Sequence, residues 1–261
     1  MSALRNEAAN GRRPLGIMAA LPQELGSLIE VMRAESGVHT VTHGGRDYHV
    51  GTAYGAPCVV TLARIGKVAA AATVSALIHA FDVEAVVFTG VAGGVGHDVR
   101  IGAVVVADSL MQHDLDASPL FPRFEVPLLG IARFAADSAL AAQLAAAAGR
   151  FIAEEGAALV QRFAIETPQL HRGLIISGDQ FVASAAAVAT LRAALPDALA
   201  VEMEGAAIAQ VCHEYGVPCA IVRTVSDTAD AHAPASFTTF LTELAGTYSN
   251  GILTRFLQAR G

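Results

Sequence analysis

The chain has 261 residues, with 17 Lys and Arg against 24 Asp and Glu, a formal net charge of -7 and no Lys/Arg cluster. A nucleic acid or an anionic membrane surface would require a basic patch, so a small-molecule partner fits better. Hydrophobic residues make up 53% of the sequence, but the alanine-rich stretch 135–148 is broken by Asp137, Ser138 and Gln143, which marks a soluble helix and not a membrane span.

Residues 1–13 are polar and lack a signal peptide's apolar stretch, so they read as a flexible leader ahead of one domain over 14–261, and the protein is expected to be cytoplasmic. A strand is predicted at 15–20. A helix at 22–34 follows, opened by Pro22 with Glu24 in its first turn. Strands at 38–43, 47–53 and 57–62 are separated by His43-Gly-Gly-Arg46 and Tyr54-Gly-Ala-Pro57, turn signals that predict an antiparallel meander. Next come a helix at 66–81, a strand at 84–89, a strand at 103–108, a helix at 131–149 and a strand at 158–165. The remainder alternates: strand 172–177, helix 184–194, strand 198–203, helix 204–215, strand 218–224 and helix 235–258. This alternation implies parallel crossovers, and the whole predicts a three-layer α/β/α sandwich around a central twisted mixed sheet. Cys58, Cys212 and Cys219 lie in apolar contexts without metal-ligand spacing and read as reduced core thiols.

Four places invite a chemical reading. Ala200-Val-Glu-Met-Glu-Gly-Ala-Ala207 puts Glu202 and Glu204 where a strand gives way to a helix, the edge at which open α/β sheets bind ligands. The plain alternative is that Glu204 serves the first helical turn while Glu202 faces solvent. Arg223, Ser226 and Asp227 fall at or just past the carboxyl end of a second apolar strand, where an arginine needs a carboxylate partner and Ser226 or Asp227 would also suit a helix N-cap. His113-Asp-Leu-Asp116 invites a metal reading, but no second histidine stands at ligand spacing, and a loop beside the pocket is the better assignment. Gly90-Val-Ala-Gly-Gly-Val-Gly96 has the wrong spacing for a dinucleotide loop, and no phosphate-loop motif occurs, so no cofactor is expected.

Taken in order, Gly16-Ile-Met-Ala-Ala-Leu-Pro-Gln-Glu24, Ile65-Gly-Lys-Val-Ala-Ala70, Thr89-Gly-Val-Ala-Gly-Gly94, His113-Asp-Leu-Asp116, Ile176-Ser-Gly-Asp-Gln-Phe-Val182, Val201-Glu-Met-Glu204 and Val222-Arg-Thr-Val-Ser-Asp-Thr-Ala-Asp230 resemble the 5′-methylthioadenosine/S-adenosylhomocysteine nucleosidases of the nucleoside phosphorylase/hydrolase superfamily. The match runs from about residue 15 to about residue 256. The resemblance implies a phosphorylase/hydrolase-like fold, a homodimer and hydrolysis of 5′-thio-substituted adenosines; the residue spacings by themselves already give no metal and no cofactor. It implies that Asp227 donates a proton to purine N7 with Ser226 orienting it, and that Glu24 holds and activates water. Glu204 would grip the ribose hydroxyls, Met203 would pack on the sugar, and Glu202 with Arg223 would support the water and carboxylate network. Phe181 would stack on adenine while the Val182 backbone reads its edge; Ile65, Val91 and Phe237 complete the implied substrate contacts. Read alone, Glu24 is also a first-turn helix acid, Phe181 a core aromatic and Phe237 helix packing.

Departures from the family pattern carry their own information. Val91 stands where many relatives carry serine, Leu21 replaces a common methionine, and Arg64 occupies a frequent glycine position. The loop Pro119-Leu-Phe-Pro-Arg-Phe-Glu-Val-Pro127 is unlike the common glycine-rich version. Two other functions stay open on these residues: phosphorolysis, with Arg64 as the anion's partner, and nucleoside binding without catalysis.

Overall fold

Alternate residues along β1 (Leu15–Ala19) serve two different cores: Leu15, Ile17 and Ala19 pack in one, Met18 in the other. That period of two, on a strand buried along its whole length, requires helices on both faces of the sheet. The computed structural model, which describes residues 12–35, 37–163, 165–229 and 233–261, supplies them. Of the expected leader only Arg12 and Arg13 are described; its other residues, and Asp230 of the last motif, lie outside.

After β1 come a 3₁₀ turn (Pro22–Leu25), α1 (Leu28–Glu35), β2 (His39–His43), β3 (Arg46–Ala53), β4 (Ala56–Leu62), α2 (Lys67–Phe81), β5 (Ala85–Gly94), β6 (Val104–Gln112), β7 (Phe134–Ala135) and α3 (Ser138–Phe163). β8 (Leu170–Ser177), α4 (Ala185–Ala194), β9 (Ala198–Glu202), α5 (Gly205–Tyr215), β10 (Cys219–Asp227), α6 (Ala233–Glu243) and α7 (Ala245–Gln258) complete the chain. The strands form one mixed sheet in the order β10-β6-β8-β9-β5-β1-β4-β3-β2, with β7 on β6. β10 also pairs with β5, so β10, β6, β8, β9 and β5 close into a ring. β2, β3 and β4 form the expected antiparallel meander. α1, α3, α6 and α7 pack on one face of the sheet, α2 and α5 on the other, giving the three-layer α/β/α architecture.

Four predicted elements need correction. The strand predicted at 158–165 is replaced over 158–163 by α3, which continues to Phe163 because Phe151 and Leu159 extend the buried stripe begun by Leu140 and Leu144. Glu154 and Glu155 hold the continuation against α7 through Arg255, at 2.5 and 2.8 Å. The predicted helix 131–149 starts at Ser138, where Asp137 accepts the Leu140 N–H at 2.9 Å, and short β7 precedes it. The predicted helix 22–34 is a 3₁₀ turn followed by α1, and 235–258 divides into α6 and α7.

The last differences place the site. β5 and β10 run beyond their predicted ends because they pair with each other, Thr224 opposite Val91 and Asp227 opposite Gly93. The glycine cluster therefore lies on a strand as far as Gly94, and Ser226 and Asp227 are strand residues, not loop residues. The register shifts between Val225 and Asp227. Such a bulge re-aims the side chains that follow it.

Candidate active site

The carboxyl ends of β5, β9 and β10 open on one cavity of about 320 Å³. Glu24, Val91, Glu202, Glu204, Ser226 and Asp227 line its inner part; Ile65, Phe181, Val182, Met203 and Phe237 line the rest. Every residue expected at the site lines it except Arg223. That arginine lies beneath the floor with 1% of its surface exposed, its guanidinium carbon 3.9 Å from the Phe88 ring centroid and bonded to Glu202. From there it reaches the cavity through the carboxylates of Glu202 and Glu204, which it holds from below.

Glu24 reaches the cavity because Pro22 starts a tight turn at the end of β1. Its Oε2 accepts the N–H groups of Ala20 and Leu21 at 3.0 and 2.7 Å, and its Oε1 accepts the Val91 N–H at 2.9 Å. The helix-acid reading is thus half right, since Glu24 satisfies its own turn and bridges to β5 as well. Burial pushes its carboxyl above the ordinary range, against the pull of Arg223 and the three N–H donors. Gly90 makes the approach possible: a Cβ there would lie 2.5 Å from Glu24 Oε1 and collide with Arg223 Nη1. Val91 contributes through its backbone, so the missing serine hydroxyl leaves Glu24 anchored.

Glu202 does not face solvent. Its Oε1 accepts from Ser177 Oγ and, at 2.9 Å, from the Gly205 N–H. Its Oε2 accepts from Arg223 and from the Glu204 N–H at 3.1 Å. With both oxygens engaged by protein, Glu202 caps α5 and neutralises the buried arginine. Breaking such a pair from one side costs about 3–5 kcal/mol.

Glu204 begins α5 with 5% of its surface exposed. Its Oε1 accepts the Gly66 N–H at 2.8 Å and its Oε2 lies 3.7 Å from Arg223 Nη2. Burial first, then the charge of Glu202, lifts its pKa to about 8, with Arg223 and the Gly66 N–H opposing. A carboxyl raised from 4.5 binds more protons folded than unfolded, so its contribution to stability falls as pH climbs from about 4.5 through about 8. Glu204→Gln removes that loss. Its thermal midpoint should match wild type near pH 4.5 and exceed it increasingly toward about pH 9, as differential scanning calorimetry would show. A constant difference across that range would contradict the assignment.

Asp227 closes the opposite wall, 2% exposed. Its Oδ1 accepts the Ala229 N–H at 2.8 Å and its Oδ2 takes a bond from Ser226 Oγ at 2.8 Å. Gly93 allows it to sit there, because a Cβ would be 3.1 Å from Asp227 Oδ1. At the mouth the Phe181 and Phe237 rings meet edge to face, 5.5 Å between centroids, and Ile65 and Phe181 are about half exposed.

Other expectations separate from the site. Arg64 does not line the cavity; its Nη2 donates to the Gly45 carbonyl at 2.6 Å. Its φ of 67° lies in the left-handed region, which accounts for the glycine common there. No lysine or arginine lines the cavity among the described residues. Asp114 of the tetrad pairs with Lys67 at 2.6 Å, and no group of three or more His, Cys, Asp or Glu among the described residues is placed to hold a metal ion. No helix among them is long and apolar enough to cross a membrane. The backbone donors of Ala20, Gly66 and Val91 escaped side-chain reasoning; the glycine turns were their only trace.

Known proteins share sequence and fold with this chain. The model of a family described as the phosphorylase superfamily matches residues 14–258. A 5′-methylthioadenosine/S-adenosylhomocysteine nucleosidase of Aeromonas salmonicida is 37% identical over 243 residues, covering 93% of this chain and 98% of its own. An aminodeoxyfutalosine nucleosidase of Helicobacter pylori is 36% identical over 236 residues, covering 89% and 94% respectively. The crystal structure of the Neisseria meningitidis 5′-methylthioadenosine/S-adenosylhomocysteine nucleosidase in complex with methylthio-immucillin-A is similar with a TM-score of 0.82 at 34% identity, over 95% of this chain and all of that one. With a family match over nearly its whole length and a cavity built at the carboxyl ends of its strands, this chain belongs to the phosphorylase superfamily.

Proposed function

We propose that the protein hydrolyses the N-glycosidic bond of 5′-substituted adenosines, 5′-methylthioadenosine and S-adenosylhomocysteine first among them. The observation that carries this reading is the cavity wall: Glu24, Glu204 and Asp227 converge on it, and no described cation lines it. Water is the nucleophile such a wall accepts, whereas phosphate would be repelled by the acids and find no arginine to hold it.

Cleavage leaves an oxocarbenium-like sugar and an electron-rich purine. Asp227, in its protonated form and held by Ser226, donates to N7 and draws electrons out of the glycosidic bond. Glu24 takes a proton from the attacking water; its raised pKa strengthens it as a base. Arg223 and Glu202 fix the carboxylates around that water, and the Arg223 Nη1 beside Glu24 has no acceptor among the described residues. Glu204 binds the ribose hydroxyls and, in the fraction ionised at a pKa of about 8, places negative charge near the developing cation. Met203 packs on the sugar, Phe181 stacks on the base, the Val182 backbone reads its edge, and Ile65, Val91 and Phe237 enclose the remainder.

A larger 5′ group is the second reading, favoured by the half-exposed apolar rim at Ile65 and Phe181 and by relatives named for aminodeoxyfutalosine. We also infer a cytoplasmic homodimer active in methionine salvage. Val68 on α2 and Leu120 and Leu128 between β6 and β7 are more than 80% exposed, apolar side chains of the kind a second copy would cover.

Chromatography of 5′-methylthioadenosine digests, with and without phosphate, tests the reaction. Adenine and free methylthioribose are expected at rates independent of phosphate, and Arg64→Ala should leave them unchanged. A sugar 1-phosphate would overturn hydrolysis, and no adenine in either digest would remove 5′-methylthioadenosine as the substrate and leave the larger 5′ group.

A further inference from the structure

Glu204 is held from outside its own helix. The Gly66 N–H that bonds its Oε1 belongs to a turn with two left-handed residues in three, Arg64 at φ 67° and Gly66 at φ 99°. Only glycine adopts such a conformation freely, so the turn needs outside bonds to keep its N–H aimed at the carboxylate. A closed set of three bonds lies directly behind it. Asp179 Oδ1 accepts the Lys67 N–H at 2.8 Å, Asp114 Oδ2 accepts the Asp179 N–H at 2.9 Å, and Asp114 Oδ1 takes Lys67 Nζ at 2.6 Å. Lys67 Nζ also donates to Gln112 Oε1 at 3.0 Å, whose amide reaches Gln210 of α5 at 2.7 Å. A Cβ on Gly66 would lie 3.2 Å from Asp179 Oδ1, so the absence of a side chain is what lets the two approach.

We propose that Lys67, Asp114 and Asp179 are positioning residues, a clamp that holds the Gly66 N–H on Glu204 and so keeps this carboxylate set for the sugar hydroxyls. The role of Glu204 in that statement rests on the nucleosidase reading above. The clamp gives the acidic tetrad and the Ser-Gly-Asp motif a task that neither metal binding nor substrate contact supplies. Electrostatics make the N–H important. Glu202 from β9 and Glu24 from the 3₁₀ turn add negative charge around Glu204, Asp227 lines the same cavity, and Arg223 of β10 is the cation beside it. Burial and Glu202 oppose ionisation of Glu204, and the Gly66 N–H favours it.

The test is the titration of Glu204, followed by NMR in protein labelled with ¹³C at the glutamate carboxyls and assigned by its loss in Glu204→Gln. Asp179→Ala and Lys67→Met should each raise the midpoint by about one pH unit, a tenfold gain in proton affinity. Asp179→Asn, which keeps an oxygen for the Lys67 N–H, should stay near wild type. The acid limb of kcat/KM for 5′-methylthioadenosine should move with the midpoint, mainly through KM. Should one variant fail to fold, the other carries the same measurement. An unchanged Glu204 midpoint in the folded Ala or Met variant overturns the clamp, since loss of a helix cap alone leaves that titration where it was. If wild type releases no adenine while the midpoint still moves, the nucleosidase reading falls and the clamp stands.

Discussion

Asp227→Asn is expected to lower adenine release by about 100- to 10,000-fold, the range that general acid catalysis supplies. The substitution is close to isosteric, and the geometry protects the fold: the side-chain oxygen still accepts the Ala229 N–H, and the new amide faces Ser226 Oγ, a hydroxyl that can accept as well as donate. The transferable proton is what disappears. Circular dichroism and thermal unfolding should match wild type while the single-turnover rate collapses. Activity within a factor of a few of wild type would take Asp227 out of the acid role.

Glu24→Gln is the second large effect, and it should differ in kind. As the proposed base for water, Glu24 should be worth about 100- to 10,000-fold in kcat, with little change expected in the affinity of a non-hydrolysable adenosine analogue. The structure adds a cost. Both Glu24 oxygens accept backbone N–H groups, so whichever way the glutamine amide turns, its NH₂ confronts a donor from Val91 or from Ala20 and Leu21. One buried donor left unsatisfied costs about 1–3 kcal/mol of stability. Glu204→Gln reverses this pattern, losing affinity and kcat together while gaining stability at high pH. Equal kinetic losses in the two variants would refute the division between water and sugar.

How far the sequence carried depends on what kind of signal each element uses. The meander was legible because glycine turns announce its ends, and the twin acids of Val201-Glu-Met-Glu204 were legible because charge at a strand end is rare. Residues 158–165 mislead because Leu159, Val160 and Ile165 suit a strand in a short window; the buried stripe that Leu159 shares with Leu140, nineteen positions earlier, decides for helix. Ser226 and Asp227 looked like loop residues because polar side chains usually are, yet pairing with β5 keeps them in the sheet. The donors that hold Glu24 and Glu204 are backbone groups of Ala20, Leu21, Gly66 and Val91, and a peptide N–H has no letter of its own in a sequence.

The closed ring of β10, β6, β8, β9 and β5 divides the cavity by inheritance. Val91, Glu202, Arg223, Ser226 and Asp227 stand on strands of that ring, and Met203 and Glu204 follow directly from one of them. These groups are welded to one another by ladder hydrogen bonds and cannot be re-spaced singly. Ile65, Phe181, Val182 and Phe237 arrive from a turn, a loop and a helix outside it. Mutation can therefore remodel the entrance while Glu202, Glu204 and Asp227 stay in register, with Glu24 tied to the ring through the Val91 N–H. Two relatives at 37% and 36% identity bearing two different substrate names are what such a scaffold would produce, a fixed reaction with an exchangeable doorway.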